Sequence, residues 1–188
     1  MTQNSRGRRT AAGGVLGAAA VATGLVAGVF YVFACAVMPA LARSEDRVYV
    51  EVVQNVNEVI QNPVFLLSFL GALLLTAVSA WQSRGEPGLR GWVGAALLAY
   101  ALAFLVTVAV NIPLNDALAD AGDPAKIADP AAVREEFEDP WVAWNVVRAL
   151  LSTVALGCLA RALVGYGRIN RAQESAYLAS AAGSSASR

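Results

Sequence analysis

Several residue types that build common active sites are missing or scarce in this chain of 188 residues. It has no histidine, two cysteines and two methionines. Catalysis by histidine and metal ligation by histidine are therefore excluded, and the sulfur-containing residues are too few for a metal centre. No Walker, G-x-S-x-G or G-x-G-x-x-G motif stands in its required context. We expect no metal, no bound cofactor and no nucleic-acid partner.

Charged residues are also scarce, at 15% of the chain, whereas 57% of the residues are hydrophobic. This composition is too apolar for a typical soluble domain. Four apolar runs without Asp or Glu are long enough to cross a bilayer, at about 12–38, 64–82, 91–112 and 141–164. We predict an all-α, four-helix transmembrane bundle over 11–170, with disordered tails at 1–10 and 171–188.

The placement of charge predicts the orientation of this bundle. Nine basic residues lie in the N-terminal segment, the link between the second and third runs, and the C-terminal segment, whereas the other two links hold four. Twelve of the acidic residues lie in those other two links. Cytoplasmic segments carry the excess of arginine, so we expect an up-down-up-down bundle in the plasma membrane with both termini cytoplasmic. Thirteen arginines against one lysine indicate a GC-rich, bacterial genome.

The link between the first and second runs has a helical pattern. Its apolar residues recur at helical spacing between Pro39 and Pro63, which predicts an amphipathic helix. Two interpretations stay open. The helix could lie on the outer membrane surface, or it could lean into the bundle with Gln54, Asn55 and Glu58 facing inward.

The link between the third and fourth runs carries two proline signals. Asp129-Pro130 predicts a capped short helix between these spans, and Asp139-Pro140 predicts the start of the fourth span. Pro113, near the end of the third run, is expected to disturb that helix and free backbone carbonyls.

Arg148 is the one charged residue in the interior of an apolar run. A guanidinium stays charged in proteins, and at mid-membrane depth it costs at least ~3 kcal/mol. Polar groups must therefore meet it. Counting residues from the outer end of each run places Thr107, Tyr31 and Ser68 at a similar depth in the other three spans.

Two polar stripes predict a cleft around this arginine. One comprises Thr107, Asn111 and Asn115, and the other comprises Trp141, Trp144, Asn145 and Arg148. Alternatives stay open for each residue. The tryptophans could anchor the protein at the membrane interface, and the asparagines of the third span could cap the helix near Pro113. Thr107 and Ser68 could bond the backbone of their own helices. Arg148 could have a purely structural role and hold neighbouring segments together.

The sequence resembles the anthrone-oxygenase-like family of small four-helix membrane proteins. The resemblance covers about residues 15–165 and is carried by four motifs. These are Asn111-Ile-Pro-Leu-Asn115, Trp141-x-x-Trp144-Asn145-x-x-Arg148, Gly28-x-Phe-Tyr-x-Phe with Met38-Pro39, and Gln54-Asn55 with Asn62-Pro63.

The resemblance implies a cofactor-independent oxygenase that oxidises a hydrophobic anthrone-type substrate. In that interpretation Arg148 stabilises the substrate anion, Asn111, Asn115 and Asn145 donate hydrogen bonds, and Trp144 and Tyr31 stack on the ring. Glu58 and Asp116 are the candidate bases. The further substrate-binding candidates are Thr107, Gln54 and Asn55. Any mechanism that needs a histidine cannot apply.

Two alternative functions stay open. The chain could be a non-catalytic membrane protein that binds a lipid, quinone or hydrophobic metabolite, or it could be an accessory subunit of a membrane complex.

Overall fold

The computed structural model describes the backbone of residues 3–186 and the side chains of residues 9–179. This part of the chain is helical and contains no strand. The α-helices are α1 Gln3–Val32, α2 Met38–Leu41, α3 Asp46–Val59, α4 Pro63–Gln82, α5 Pro87–Val106, α6 Ile112–Asp120 and α7 Pro130–Ala186. Two π-helical turns, Phe33–Val37 and Thr107–Asn111, join α1 to α2 and α5 to α6.

Four continuous helical stretches are long and apolar enough to cross a membrane, which confirms the four predicted spans. They are Arg9–Leu41, Pro63–Gln82, Pro87–Asp120 and Pro130–Ala179. Only 22–33% of the most apolar window of each stretch is buried inside the protein. The remaining apolar surface faces outward, which is typical of helices that contact lipid and indicates a multi-pass membrane protein.

The four long helices pack into a bundle in which α1 and α5 each contact both α4 and α7. Small side chains at many of the contact positions allow this close approach, because they let helix backbones come together. The buried alanines of the bundle include Ala19, Ala72, Ala96, Ala103, Ala155 and Ala162. The relative direction of the spans and the cytoplasmic position of the termini stay predictions.

Each π-helical turn is separated from a following proline by one residue. The backbone N–H of Met38 bonds to the carbonyl of Phe33, and that of Ile112 bonds to the carbonyl of Thr107, each five residues back. Pro39 and Pro113 follow immediately, and neither can donate a backbone hydrogen bond. Pro113 was therefore correctly expected to disturb its helix. The widened turn absorbs the disturbance, and the helix continues to Asp120.

The predicted amphipathic helix is α3, and its apolar face packs on the protein. Tyr49, Val50 and Val53 are buried in a cluster with Phe137 and Trp141 of α7. Both ring pairs, Tyr49–Phe137 and Phe137–Trp141, have centroids within 6.4 Å. The helix therefore covers one end of the bundle, hereafter the α3 end.

The prediction of a separate short helix between spans three and four is wrong, because this segment forms the first part of α7. Asp129 caps it, with its Oδ1 accepting from the backbone N–H of Ala132 at 3.1 Å. Pro140 lies inside the helix without ending it. Val133, Phe137 and Trp141 occupy one face at i, i+4 and i+8 and pack in one cluster, so burial holds the helix continuous across the proline.

The disordered tails at 1–10 and 171–188 stay a prediction. Within the described residues, α1 begins at Gln3 and α7 ends at Ala186, inside these two segments.

Candidate functional site

A cavity of about 210 Å³ opens inside the bundle near the α3 end. This volume is far larger than the ~15 Å³ that one water molecule requires. Five of its ten apolar lining residues are aromatic, and seven polar residues complete the lining. The lining residues include Phe30, Phe33, Phe65, Phe69, Trp141, Thr107, Asn145 and Arg148.

Arg148 supplies the positive charge of this cavity and is only 5% exposed. Its Nη2 donates to Oδ1 of Asn145 at 3.0 Å, and its Nη1 lies 3.5 Å from Oγ1 of Thr107. The guanidinium carbon stands 4.3 Å from the ring centroid of Phe30 and 5.4 Å from that of Trp141. Two neutral acceptors and two aromatic faces thus hold the cation in place.

The charge of Arg148 is not compensated by the protein around it. Among the residues that the structure describes, no carboxylate forms an ion pair with it, and its buried Nε has no hydrogen-bond partner. A buried charge without an opposite charge is costly. The cavity beside it therefore offers an anionic or strongly electronegative ligand a favourable position.

The two acceptors of Arg148 are themselves fixed by the backbone. Asn145 Nδ2 donates to the carbonyl of Phe30 at 3.1 Å, which turns its Oδ1 toward the guanidinium. The hydroxyl of Thr107 donates to the carbonyl of Ala103 at 2.9 Å, which leaves its lone pairs free to accept. Thr107 thus bonds its own helix and also faces Arg148. Both residues are buried.

Asn111 and Asn115 hold Trp141 rather than capping a helix end. The indole Nε1 of Trp141 donates to Oδ1 of Asn115 at 2.8 Å, and Nδ2 of Asn111 lies 3.4 Å from the carbonyl of Trp141. Oδ1 of Asn111 is buried and has no partner in the protein. Asn115 lines the cavity, whereas Asn111 does not. The second π-helical turn carries Thr107 and Asn111, so it sets the positions of both side chains.

The mouth of the cavity carries a different set of polar groups. Asp116 is the one carboxylate among the residues lining the cavity, and it is exposed. Asn57 and Gln61 line the cavity from the α3 side. No group of three or more Cys, Asp or Glu side chains suited to a metal ion occurs in the part of the chain that the structure describes.

Several predicted site residues lie outside the cavity. Tyr31 is 63% exposed and Trp144 is 39% exposed, and both face away from the bundle. Asn55 and Glu58 are exposed on α3 and do not line the cavity.

Two further predicted residues form hydrogen bonds away from the cavity. The Nε2 of Gln54 donates to the carbonyl of Leu118 at 2.7 Å and joins α3 to α6. Ser68 bonds the carbonyl of Val64 in its own helix at 3.1 Å.

Sequence reasoning missed the aromatic wall and named Trp144, rather than Trp141, as the tryptophan that contacts the substrate. Trp141 is 5% exposed and lines the cavity, although its position near a span end suggested an interface anchor. The signal was present in the spacing. Trp141, Asn145 and Arg148 lie within about 60° on a helical wheel, and Trp144 falls about 40° outside that arc. Phe65 and Phe69 gave no signal, because a phenylalanine in an apolar span is equally suited to lipid.

A shallow apolar groove adjoins the cavity on its outer side. Phe33, Val56 and Ile60 line both spaces and form the partition between them. All three are half-buried. The groove continues outward along Val52, Val59 and the asparagines Asn55 and Asn62.

One comparison with known proteins relates this chain to a family. The family model described as anthrone oxygenase matches residues 53–158, which is more than half of the chain. The matched range includes α4, α5, the second π-helical turn and Arg148. No curated protein and no solved structure matches the chain significantly.

Proposed function

This chain belongs to the anthrone oxygenase family, and we propose that it is a membrane enzyme that oxidises a hydrophobic, anthrone-type ring with molecular oxygen. The observation that carries the proposal is the guanidinium of Arg148. It is buried beside an aromatic-walled cavity, and no carboxylate of the described residues pairs with it. Such a group stabilises negative charge that develops on a bound substrate.

The substrate chemistry suits this arrangement. An anthrone carries a CH₂ group between two aromatic rings, opposite a carbonyl. Loss of one proton from that CH₂ gives an anion whose charge is shared with the carbonyl oxygen. In our proposal that oxygen sits against Arg148, near Asn145 and Thr107, and the rings lie between Phe30, Phe65 and Trp141.

The remaining steps balance without another oxidant. Asp116 takes the first C–H proton. The anion passes one electron to oxygen, and the two radicals combine to form a C–O–O⁻ bond. The peroxide takes the proton back from Asp116, and loss of the second C–H proton with cleavage of the O–O bond releases water and leaves a carbonyl. One CH₂ and one O₂ thus give one C=O and one H₂O.

The groove beside the cavity provides a route for such a substrate. A polycyclic ring partitions into the bilayer, and the groove opens on the outside of the protein, where Val59 is 70% exposed. We propose that the substrate passes from the membrane between Phe33, Val56 and Ile60. We further propose that the α3 end faces outward from the plasma membrane and that both termini are cytoplasmic, as the arginine distribution predicts.

The test compares purified wild type, Arg148→Met and Arg161→Met in detergent, with an anthrone, oxygen and a chelator. Arg161 lies on the same helix, 13 residues farther along, and does not line the cavity. Quinone formation should fall roughly 100-fold in Arg148→Met and stay unchanged in Arg161→Met. Wild-type rates equal to those without protein would refute the oxygenase.

A second candidate is a protein that binds a quinone or related metabolite without turnover. The exposed position of Asp116 favours it, because water competes with a substrate C–H group for an exposed carboxylate. In this case wild type should bind an anthraquinone with an affinity that depends on Arg148 and should not consume oxygen. Oxygen-electrode and binding measurements on the same samples separate the two candidates.

A further inference from the structure

A second cavity, of about 480 Å³, lies at the end of the bundle opposite α3. It is enclosed by the beginning of α1, the end of α4, the beginning of α5 and the C-terminal part of α7. We call it the arginine cavity. Its lining includes Arg9, Arg84, Glu86, Trp81, Gln82, Tyr166 and Asn170. Nothing in the proposed reaction uses it.

Two arginine–tryptophan pairs mark this end of the bundle. The guanidinium carbon of Arg84 stands 4.9 Å from the ring centroid of Trp81, and that of Arg161 stands 5.5 Å from the ring of Trp92. Trp81 is 61% exposed and Trp92 is 44% exposed. Exposed tryptophans at the ends of spanning helices lie at the level of lipid headgroups. The arginine cavity therefore opens at that level.

The position of Arg9 in this cavity is fixed by α7. The hydroxyl of Tyr166 donates to the backbone carbonyl of Arg9. The ring of Tyr166 also lies against Gly13, where an added Cβ would be 2.8 Å from Cε1 of the ring. The start of α1 is thus held beside α7 through a side chain that lines the cavity.

We propose that the arginine cavity holds the headgroup of an anionic phospholipid. Arg9 and Arg84 suit a phosphodiester, because a guanidinium donates two parallel hydrogen bonds to phosphate oxygens. Gln82 and Asn170 offer amide groups for a polar headgroup. Leu74 and Val78 are exposed on the same face of α4 as Trp81, and they provide a surface for acyl chains.

The lining of the cavity suits a lipid better than a free phosphate ion. Glu86 also lines the cavity and partly offsets the two arginines. Two guanidinium groups and one carboxylate leave a net charge of one positive, which the single negative charge of a lipid phosphodiester balances. The lipid also gains apolar contacts with α4 that a free ion cannot make.

The experiment measures which lipids stay bound to the purified protein. Wild type in detergent is given an equal mixture of phosphatidylglycerol and phosphatidylcholine, and bound lipid is read by native mass spectrometry. Phosphatidylglycerol should be retained in preference. Each arginine lost from the cavity should weaken this retention about fivefold, so Arg84→Gln should lower it and the double variant with Arg9→Gln should abolish the preference.

Arg90→Gln is the matched control, because Arg90 is exposed near the start of α5 but does not line the arginine cavity. Its retention of phosphatidylglycerol should equal that of wild type. An equal loss in Arg90→Gln would mean general surface charge and would overturn the proposal. Equal retention of the two lipids by wild type would overturn it without any variant, as would thermal stabilisation by inorganic phosphate equal to that by phosphatidylglycerol.

Discussion

Arg148 donates from Nη2 to Oδ1 of Asn145 at 3.0 Å, three residues earlier on the same helix face. The amide nitrogen of Asn145 is already committed to the carbonyl of Phe30 on α1. The cation is therefore oriented by a neutral side chain that is itself fixed to a neighbouring helix. This arrangement positions the charge without cancelling it, and the first prediction depends on that distinction.

Replacing Asn145 by aspartate should cancel the charge. In Asn145→Asp a carboxylate takes the place of the amide oxygen and pairs with Arg148. An anionic ligand would then meet a neutral pair, so its binding should weaken roughly tenfold or more. Binding of an anthrone anion or anthraquinone, followed by fluorescence, measures this effect. Asn145→Ser, which removes the amide without adding charge, is the comparison. If both variants lose the same affinity, charge cancellation is not the cause.

Narrowing the partition should slow access of a large substrate. Ile60 lines both the cavity and the outer groove, so Ile60→Trp should lower kcat/KM for a three-ring substrate roughly tenfold. Val59→Trp is the matched control, because Val59 lines the groove but not the cavity and is 70% exposed. Steady-state kinetics in detergent provide the measurement. A similar loss in the control would argue against a passage at this partition.

Arg134 fastens α3 to the start of α7. It forms ion pairs with Glu138 at 2.6 Å and Asp46 at 2.9 Å, and it donates to the carbonyls of Ser44 and Ala42 at 3.1 and 3.0 Å. Arg134→Met should free α3, because its contacts with Asp46, Ser44 and Ala42 would be lost. The cost should be about 2 kcal/mol of stability, since Glu138 would also lose its partner.

Limited proteolysis of the segment 42–62 and thermal unfolding both measure this loss. Arg43→Met is the control, because Arg43 is exposed nearby and belongs to none of these contacts. Unchanged proteolysis in Arg134→Met would contradict the fastening role.

Tyr49 should make the docking of α3 sensitive to alkaline pH. Burial raises the pKa of its hydroxyl above the ordinary value, and the nearby carboxylate of Glu138 adds to the rise. The folded state therefore holds this proton more tightly than the unfolded state. The contribution is complete below pH ~10 and is lost as pH rises from there toward the folded-state pKa.

Tyr49→Phe should remove this alkaline sensitivity. The Tyr49 hydroxyl has no hydrogen-bond partner in the protein, so the variant should be as stable as wild type at neutral pH or more stable by about 1 kcal/mol. Unfolding midpoints from pH 7 to pH 11 test both statements. A large loss of stability at neutral pH would indicate that the hydroxyl has a partner.

The sequence by itself determined the four spans, the amphipathic α3, the family and the polar residues Arg148, Asn145 and Thr107. These follow from periodicity, length and the cost of charge in an apolar run, which are local properties of the chain. Helical spacing also placed Thr107, Asn111 and Asn115 on one face, because that face depends on position within a single helix.

Only the tertiary structure decided which aromatic residues meet the arginine. Trp141 turns inward because Asn115 accepts from its indole and Phe33 and Phe137 pack beside it, whereas Trp144, three residues on, faces outward. Phe30 and Phe69 join the site through helix packing, and Pro140 fails to end α7 because its neighbours are buried on one face. In each case the outcome depends on contacts between segments far apart in the chain, and hydrophobicity alone cannot distinguish a side chain facing lipid from one facing a cavity.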